Sequence, residues 1–304
     1  MSAEVGIGQA AGRITAQDRS MFQSAMRWVW RFSRRKPLGA FGGIVLILLI
    51  ITAFFAEVIA PYGPLLQNTG AALEPPSLQH LAGTDQFGRD MFSRLIFGAR
   101  TSLTVSVSVT ILVTIPSVTL GIIMGYYRGW VDLVLQRVVD AVQAVPGLIL
   151  LITIVSILGP GLWNVIFALA IPASITSSRL KRAATLQISG RDYVLAARSL
   201  GATTPHIMWW YILPNIMATV IVVMSLGFGG YILAESTLSF LGYGIPPPAP
   251  SWGGMLASEG RRYMYSAAHM FVAPALALSM VVFGVNMFGD AMRDVLDPRL
   301  RGSR

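Results

Sequence analysis

The sequence predicts an all-α polytopic membrane protein of six transmembrane helices, with one polar helical stretch set outside the bilayer. Three observations predict it. Hydrophobic residues make up 54% of the 304 residues and charged ones 12%, against about 25% charged in a typical soluble domain. Mean hydropathy is +0.63. The apolar residues fall into runs of about twenty, the length of helix that crosses ~30 Å of hydrocarbon.

Residues 1–16 are small and polar. From Gln17 to Lys36, Met21, Phe22, Ala25, Met26, Val29 and Phe32 line one side of a helix, with Arg27, Arg31, Arg34 and Arg35 gathered on another. That pattern suits a helix lying on an anionic membrane surface; the alternative is an ordinary basic flank before a span. Leu38–Ala60 is the first span, too long, and preceded by too much polar chain, for a cleaved signal peptide. Its Gly39 and Gly43 form a small-xxx-small face for close helix contact. Pro61–Arg100 reads as a non-membrane segment.

Thr101–Tyr126 is the second span. Ser or Thr at 102, 104, 106, 108 and 110 alternates with apolar residues as in a strand. A lone hairpin leaves its edges unsatisfied in lipid, so a helix is expected, its hydroxyls bonded to the preceding turn. Val131–Leu158 is the third span, carrying Arg137, Asp140, Gln143 and Pro146. Leu162–Ser178 is a short fourth, bent at Pro172; Ile216–Leu238 is the fifth, with Gly227, Gly229 and Gly230. Ala267–Gly289, containing Pro274, is the sixth. No internal repeat is visible.

Six spans put both termini on one side, and arginine decides which. With the N-terminus in the cytoplasm, eighteen of the 23 basic residues fall on inside segments. Arg89, Arg94, Arg100, Arg261 and Arg262 fall outside. This positive-inside asymmetry accounts for the formal charge of +9 without a nucleic-acid partner. It makes Ser189–Asn215 cytoplasmic. Within that stretch Ser189 and Asp192 have capping-box spacing, and Tyr193, Ala196, Ala197 and Leu200 repeat as one apolar stripe. Gly201 stands where a helix C-cap needs positive φ. Thr204-Pro205 opens a second helix, and Leu213-Pro214 marks a break before the fifth span. A capped amphipathic helix with small residues on one face is suited to docking.

Several chemistries are excluded. There is no cysteine, and neither Lys36 nor Lys181 follows a glycine, so no Walker A loop exists. His80, His206 and His269 are too scattered for a local metal motif, and no Gly-x-Ser-x-Gly elbow is present. The chain is expected to hold no cofactor or metal and to have no catalytic residue. Asp140 is the one carboxylate well inside a span; Arg137, three residues away, is its expected structural ion-pair partner, with an ion-coupling role as the alternative.

Ala196-Ala197, Gly201 four residues later and Leu213-Pro214 a dozen further on resemble the "EAA" loop of ABC importer permeases. Leu195 stands where that family has its leading glutamate. Gly83-Thr-Asp-Gln-Phe-Gly-Arg-Asp-Met-Phe-Ser-Arg94 and Gly98-Ala-Arg-Thr-Ser-Leu103 are similar to the outer segment of the C-type subunit of dipeptide, oligopeptide and nickel importers. So are Arg137, Asp140 and Pro146 in span three, Leu238–Gly244 with Pro246-Pro247-Pro248 and Trp252–Leu256 after span five, and Asp297-Pro298-Arg299.

The resemblance implies an ABC type I importer permease: a bacterial or archaeal plasma-membrane subunit with both termini cytoplasmic. Its implied partners are a homologous permease in a heterodimer, two ATP-binding subunits that hold ATP and Mg, and an extracytoplasmic solute-binding protein. Peptides lead as solute; nickel, glutathione and other small solutes are alternatives on the same scaffold, and an ion-coupled secondary transporter is a rival of another class. The expected organisation is a tail with interfacial helix (1–36), first span (37–61), extracytoplasmic segment (62–100), five-helix core (101–290) containing the coupling loop (189–215), and a tail (291–304). Asp192, Tyr193, Ala196, Ala197, Leu200, Gly201, His206, Leu213 and Pro214 are expected to couple to the ATPase. Gln143, Ser225 and Glu235 are pathway candidates, against an interhelical bond for Gln143 and snorkelling, slightly favoured, for Glu235. The three span-five glycines are expected to pack helices. Pro246, Trp252, Arg261 and Arg262 are candidates for docking the binding protein, with a lid over the pore as the alternative.

Overall fold

The computed structural model describes residues 30 and 32–296. Most of the amphipathic Gln17–Lys36 segment, and Asp297-Pro298-Arg299, lie outside them. Among the described residues there is no strand, only an isolated bridge between Thr84 and Asp90.

The bundle is organised along one long helix. In chain order come α1 (Pro37–Phe54), α2 (Ala56–Ile59), α3 (Met91–Tyr127), α4 (Gly129–Ala144), α5 (Gly147–Leu158), α6 (Leu162–Ser189) and α7 (Asp192–Ser199). After them come α8 (Thr204–His206), a π-helical segment Ile207–Ile212, α9 (Leu213–Phe240), α10 (Trp252–Gly254), a second π segment Met255–Gly260, α11 (Arg261–Tyr263) and α12 (His269–Leu296). At 37 residues α3 is ~55 Å long, well beyond the ~30 Å hydrocarbon core. Three apolar clusters are strung along it. Met91 and Ala99 join Trp252 and Met270 near its start; Val105, Val109 and Val113 join Val165 and Leu169 midway. Val118 and Ile122 join Val194, Ile207 and Ile212 near its end.

Helix α3 starts about ten residues earlier than the expected Thr101. The reason is a cap: Asp90 accepts from Ser93 N and Ser93 Oγ, both at 2.7 Å. The Gly83–Asp90 run is a turn built on the buried Asp85 carboxylate, which accepts from Phe87 N at 2.8 Å, from Arg89 N at 3.0 Å and from the Arg89 guanidinium. Gly83 and Gly88 take the positive φ this turn requires. In the span itself the serine and threonine alternation is helical, as expected. Thr104 and Ser106 donate to Arg100 O and Ser102 O, though Ser102 and Thr110 make no such bond.

The expected third span is two helices, α4 and α5, bent by 91°. Pro146 forces the residue before it out of the helical region, and Val145 sits at φ −87°, ψ 129°. The expected fourth span does not end at Ser178: α6 runs through Pro172 to Ser189. It crosses α3 at close quarters, where a methyl group on Gly121 would lie 2.5 Å from Lys181 Cβ and one on Gly125 2.6 Å from Thr185 Cβ. Among the described residues four helices are long and apolar enough to span a membrane, five if the bent pair counts as one, against the six expected; α6, the expected fourth span, is not among them. Buried along α3 through small and hydroxyl side chains such as Ser174, Ser178 and Thr185, it needs no uniformly apolar surface.

Helices α1 and α12 also pack through glycine, but at Gly39 and Gly42 more than at the expected Gly39 and Gly43. A methyl on Gly42 would lie 2.0 Å from Gly284 O, whereas one on Gly43 would make an ordinary 3.4 Å contact with Phe288. The expected break at Leu213-Pro214 is absent. A π turn replaces it, with Leu213 N donating to Met208 O, so the missing proline N–H is absorbed by a widened turn and the helix runs on to Phe240.

Candidate functional site

The stretch after α6 forms a platform at the end of α3. Ser189 is not the N-cap of a capping box: it ends α6, where its Oγ donates to Leu186 O and accepts from Arg128 Nη2 at 3.1 Å. Helix α7 begins at Asp192 without a side-chain cap. Its C-terminus closes as a Schellman turn, with Gly201 N donating to Arg198 O and Ala202 N to Ala197 O, both at 3.0 Å. Gly201 has φ +83°, as its position required.

The predicted stripe divides between two faces. Of its members only Ala197 is buried; Val194, outside the stripe, packs against the α3 end and the π turn. Tyr193, Leu195 and Ala196 point outward, and Leu200 is 88% exposed. Ala197 therefore holds the platform while its neighbours remain free. Arg198 lies over the Tyr126 ring, 5.1 Å from its centroid, fixing the platform to α3. Asp192, His206 and Pro214 are exposed and Leu213 half-buried; His206 stacks on Trp210 at 6.1 Å.

A cavity of about 500 Å³ opens between the α4–α5 elbow, α6 and α9. Apolar side chains such as Leu150 and Leu169 dominate its wall, with Gln143, Thr176 and Tyr231 as polar groups. Gly227 and Gly230 line it too, so of the three span-five glycines only Gly229 packs on another helix, against Asn286 of α12. Gln143 is thus brought to the cavity, but its Oε1 accepts from Arg179 Nη1 at 2.9 Å. The other two pathway candidates are not there. Ser225 donates to Ile221 O and lies beside Gly289 of α12. Glu235 is wholly buried, accepting from Ser239 Oγ at 2.7 Å and Ser236 Oγ at 3.3 Å. It does not snorkel, and it is not part of this cavity's wall.

Asp140 pairs with Arg137 at 3.4 Å, as expected, but also with Arg179 across the α4–α6 gap. Sequence spacing reveals only the local partner; Arg179 lies 39 residues on. A further pair, Asp132 with Arg182, ties the start of α4 to α6.

At the opposite end of α3, a second cavity of about 540 Å³ is lined by Arg94, Glu259, Arg261, Arg262 and the Pro246-Pro247 loop. Pro246, Arg261 and Arg262 are exposed. Trp252 is not: it is buried, its Nε1 donating to Leu95 O at 3.0 Å and its ring seated on Gly98. It is a structural anchor, because Gly98 leaves room only for the indole face. Arg89 and Arg94 join the Asp85 turn to Glu259 at 3.3 and 3.8 Å. No group of three or more His, Cys, Asp or Glu side chains is placed to hold a metal among the described residues.

Residues 117–302 match the family described as binding-protein-dependent transport system inner membrane component. The chain belongs to that family. Residues 24–76 also match the N-terminal transmembrane domain of oligopeptide transport permease C, which sets this permease in the C-type branch. It is 41% identical to the di/tripeptide transport system permease protein DppC of Pseudomonas aeruginosa, over 95% of this chain and 97% of that one. To the glutathione transport system permease protein GsiD of Pectobacterium atrosepticum it is 37% identical, over 94% of each. Inward-facing structures of the MetNI methionine ABC transporter share the fold, with a TM-score of 0.56, 18% identity, and coverage of 68% of this chain and 98% of theirs. The protein is an integral inner-membrane permease of an ABC importer. The rival ion-coupled class falls away with this membership.

Proposed function

We propose that this permease forms half of the route by which an ATP-driven importer takes up short peptides. The observation that carries the reading is the 41% identity to a di/tripeptide permease over 95% of the chain. The geometry supplies a matching division of labour. A mostly apolar cavity with few polar groups accepts varied side chains while its polar groups orient the backbone. The exposed face of α7 is the lever on which a separate ATP-binding subunit acts, so ATP and Mg are held by that partner. Helix α7 lies on the cytoplasmic side in this reading. The cavity bounded by Pro246, Arg261 and Arg262 then meets an extracytoplasmic binding protein, and a homologous permease closes the open side of the pathway.

Reconstitution with the neighbouring-gene permease, ATPase and binding proteins tests this. Di- and tripeptides should stimulate ATP hydrolysis and accumulate inside vesicles. Absence of stimulation across a peptide panel, in an assembly with intact basal ATPase, would remove the peptide assignment. The 37% identity to glutathione permeases favours one second reading, and glutathione belongs in the same panel.

A further inference from the structure

Beside the α7 side of the 500 Å³ cavity, two arginines share one carboxylate among the described residues. Thr176 lines the cavity wall, and Arg179 follows it by one turn on α6. The Arg179 guanidinium reaches across to α4, donating to Gln136 Oε1 at 3.0 and 3.1 Å, to Gln143 Oε1 at 2.9 Å and to Asp140. Asp140 must serve two arginines, since Arg137 also pairs with it. The neighbouring Arg182 and Asp132 balance each other. Two cations therefore share one carboxylate at the foot of a cavity whose wall holds only neutral polar groups.

A guanidinium is a planar fork of five donors and suits a carboxylate better than the neutral amide oxygens that Arg179 now holds. Charge-assisted hydrogen bonds of that kind are about twice as strong as neutral ones. Gln143 is the exchangeable partner, because it belongs to both the cavity wall and the Arg179 network. The Ala144–Gly147 elbow beside it gives α4 a hinge on which to yield.

We propose that Arg179 receives the free carboxylate of the solute and so selects for it within the membrane. The carboxylate displaces Gln143 from the guanidinium and shares it with Asp140; no covalent bond changes. This rests on the peptide-import reading.

The test uses the complete reconstituted transporter with trialanine and its C-terminal amide as probes. Import of trialanine by the unmodified assembly is measured first, and its absence overturns the peptide reading. Given that import, Arg179→Gln should lower the maximal rate about tenfold or more, as loss of a charged hydrogen bond implies, with KM unchanged. Its preference for the acid over the amide should fall in parallel. Arg179→Lys, which keeps the cation but not the planar fork, should import more slowly while keeping the preference for the acid, and Asp140→Asn, which leaves the guanidinium in place, should keep that preference too. A structural latch between α4 and α6 gives the opposite pattern: import falls in Arg179→Gln with an unaltered acid-to-amide ratio. That pattern overturns the proposal. Should Arg179→Gln fail to assemble, Arg179→Lys decides alone: the proposal requires it to import with the preference for the acid retained, and import without that preference overturns it.

Discussion

Gly125 of α3 and Thr185 of α6 touch with no room for a side chain between them. A methyl group at Gly125 would stand 2.6 Å from Thr185 Cβ and 2.9 Å from Arg182 O. Four residues earlier Gly121 makes the same approach to Lys181 and to Ser178 O. Contact between membrane helices rests on van der Waals packing, and a backbone carbonyl cannot swing aside like a side-chain tip. Gly125→Leu should therefore separate α3 from α6 and cost more than the ~1–3 kcal/mol of ordinary overpacking. Thermal aggregation of the detergent-purified protein should show a clearly lower midpoint. Gly230→Ala, where a methyl meets nothing within 4 Å, should leave the midpoint unchanged.

The turn that starts α3 depends on one carboxylate. Asp85 is wholly buried, and Arg89 and Arg94, themselves nearly buried, converge on it. Asp85→Asn keeps the shape and removes the charge, leaving both arginines to the more distant Glu259. Breaking a buried pair in this way costs about 3–5 kcal/mol. The same thermal assay should report a large loss of stability, whereas Glu57→Gln, which removes an exposed partner of Arg100, should leave the midpoint in place.

Much of this architecture was legible because its signals are local. Composition and run length predict the spans, and Gly201 could be assigned a left-handed conformation because a helix ending there admits few alternatives. The failures have a common cause. Arg179 meeting Asp140, Trp252 seated on Gly98, and Gly121 and Gly125 meeting α6 are all contacts between distant segments, and spacing along one helix cannot reveal them. The Gly121-xxx-Gly125 spacing is a sequence signal for the α3–α6 crossing, the same small-xxx-small pattern as Gly39-xxx-Gly43. Proline acts in both directions. Pro146 breaks a span because the preceding residue is pushed extended, while Pro214 is carried by a π turn.

The platform predicts a separation between folding and coupling. Leu200 is 88% exposed and Val194 is buried at the α3 end. Leu200→Asp should leave insertion and co-purification of the partner permease unchanged, while peptide-stimulated ATP hydrolysis and import fall together by about tenfold, because a charge now faces an apolar socket. Val194→Asp should instead unseat α7 and reduce the yield of assembled complex. Full import by the Leu200 variant would count against α7 as the lever. Gly201→Val, strained at φ +83° by about 1–2 kcal/mol, should resemble the Leu200 variant more than the Val194 one.

Arg261 and Arg262 give the clearest separation of docking from stability. Both are exposed beside the Pro246-Pro247 cavity, and neither is ion-paired among the described residues. Charges so placed contribute to encounter more than to folding. Reversing both, Arg261→Glu with Arg262→Glu, should weaken capture of the binding protein by nanodisc-held transporter about tenfold at 0.1 M salt, where the Debye length is ~10 Å. At 1 M salt screening shortens to ~3 Å and the two proteins should converge. The thermal midpoint should not move, in contrast to Trp252→Ala, which empties the Gly98 seat and should cost about 3–5 kcal/mol. Binding that is equal in variant and parent at both salt concentrations would leave the loop as a lid over the pathway rather than a docking surface.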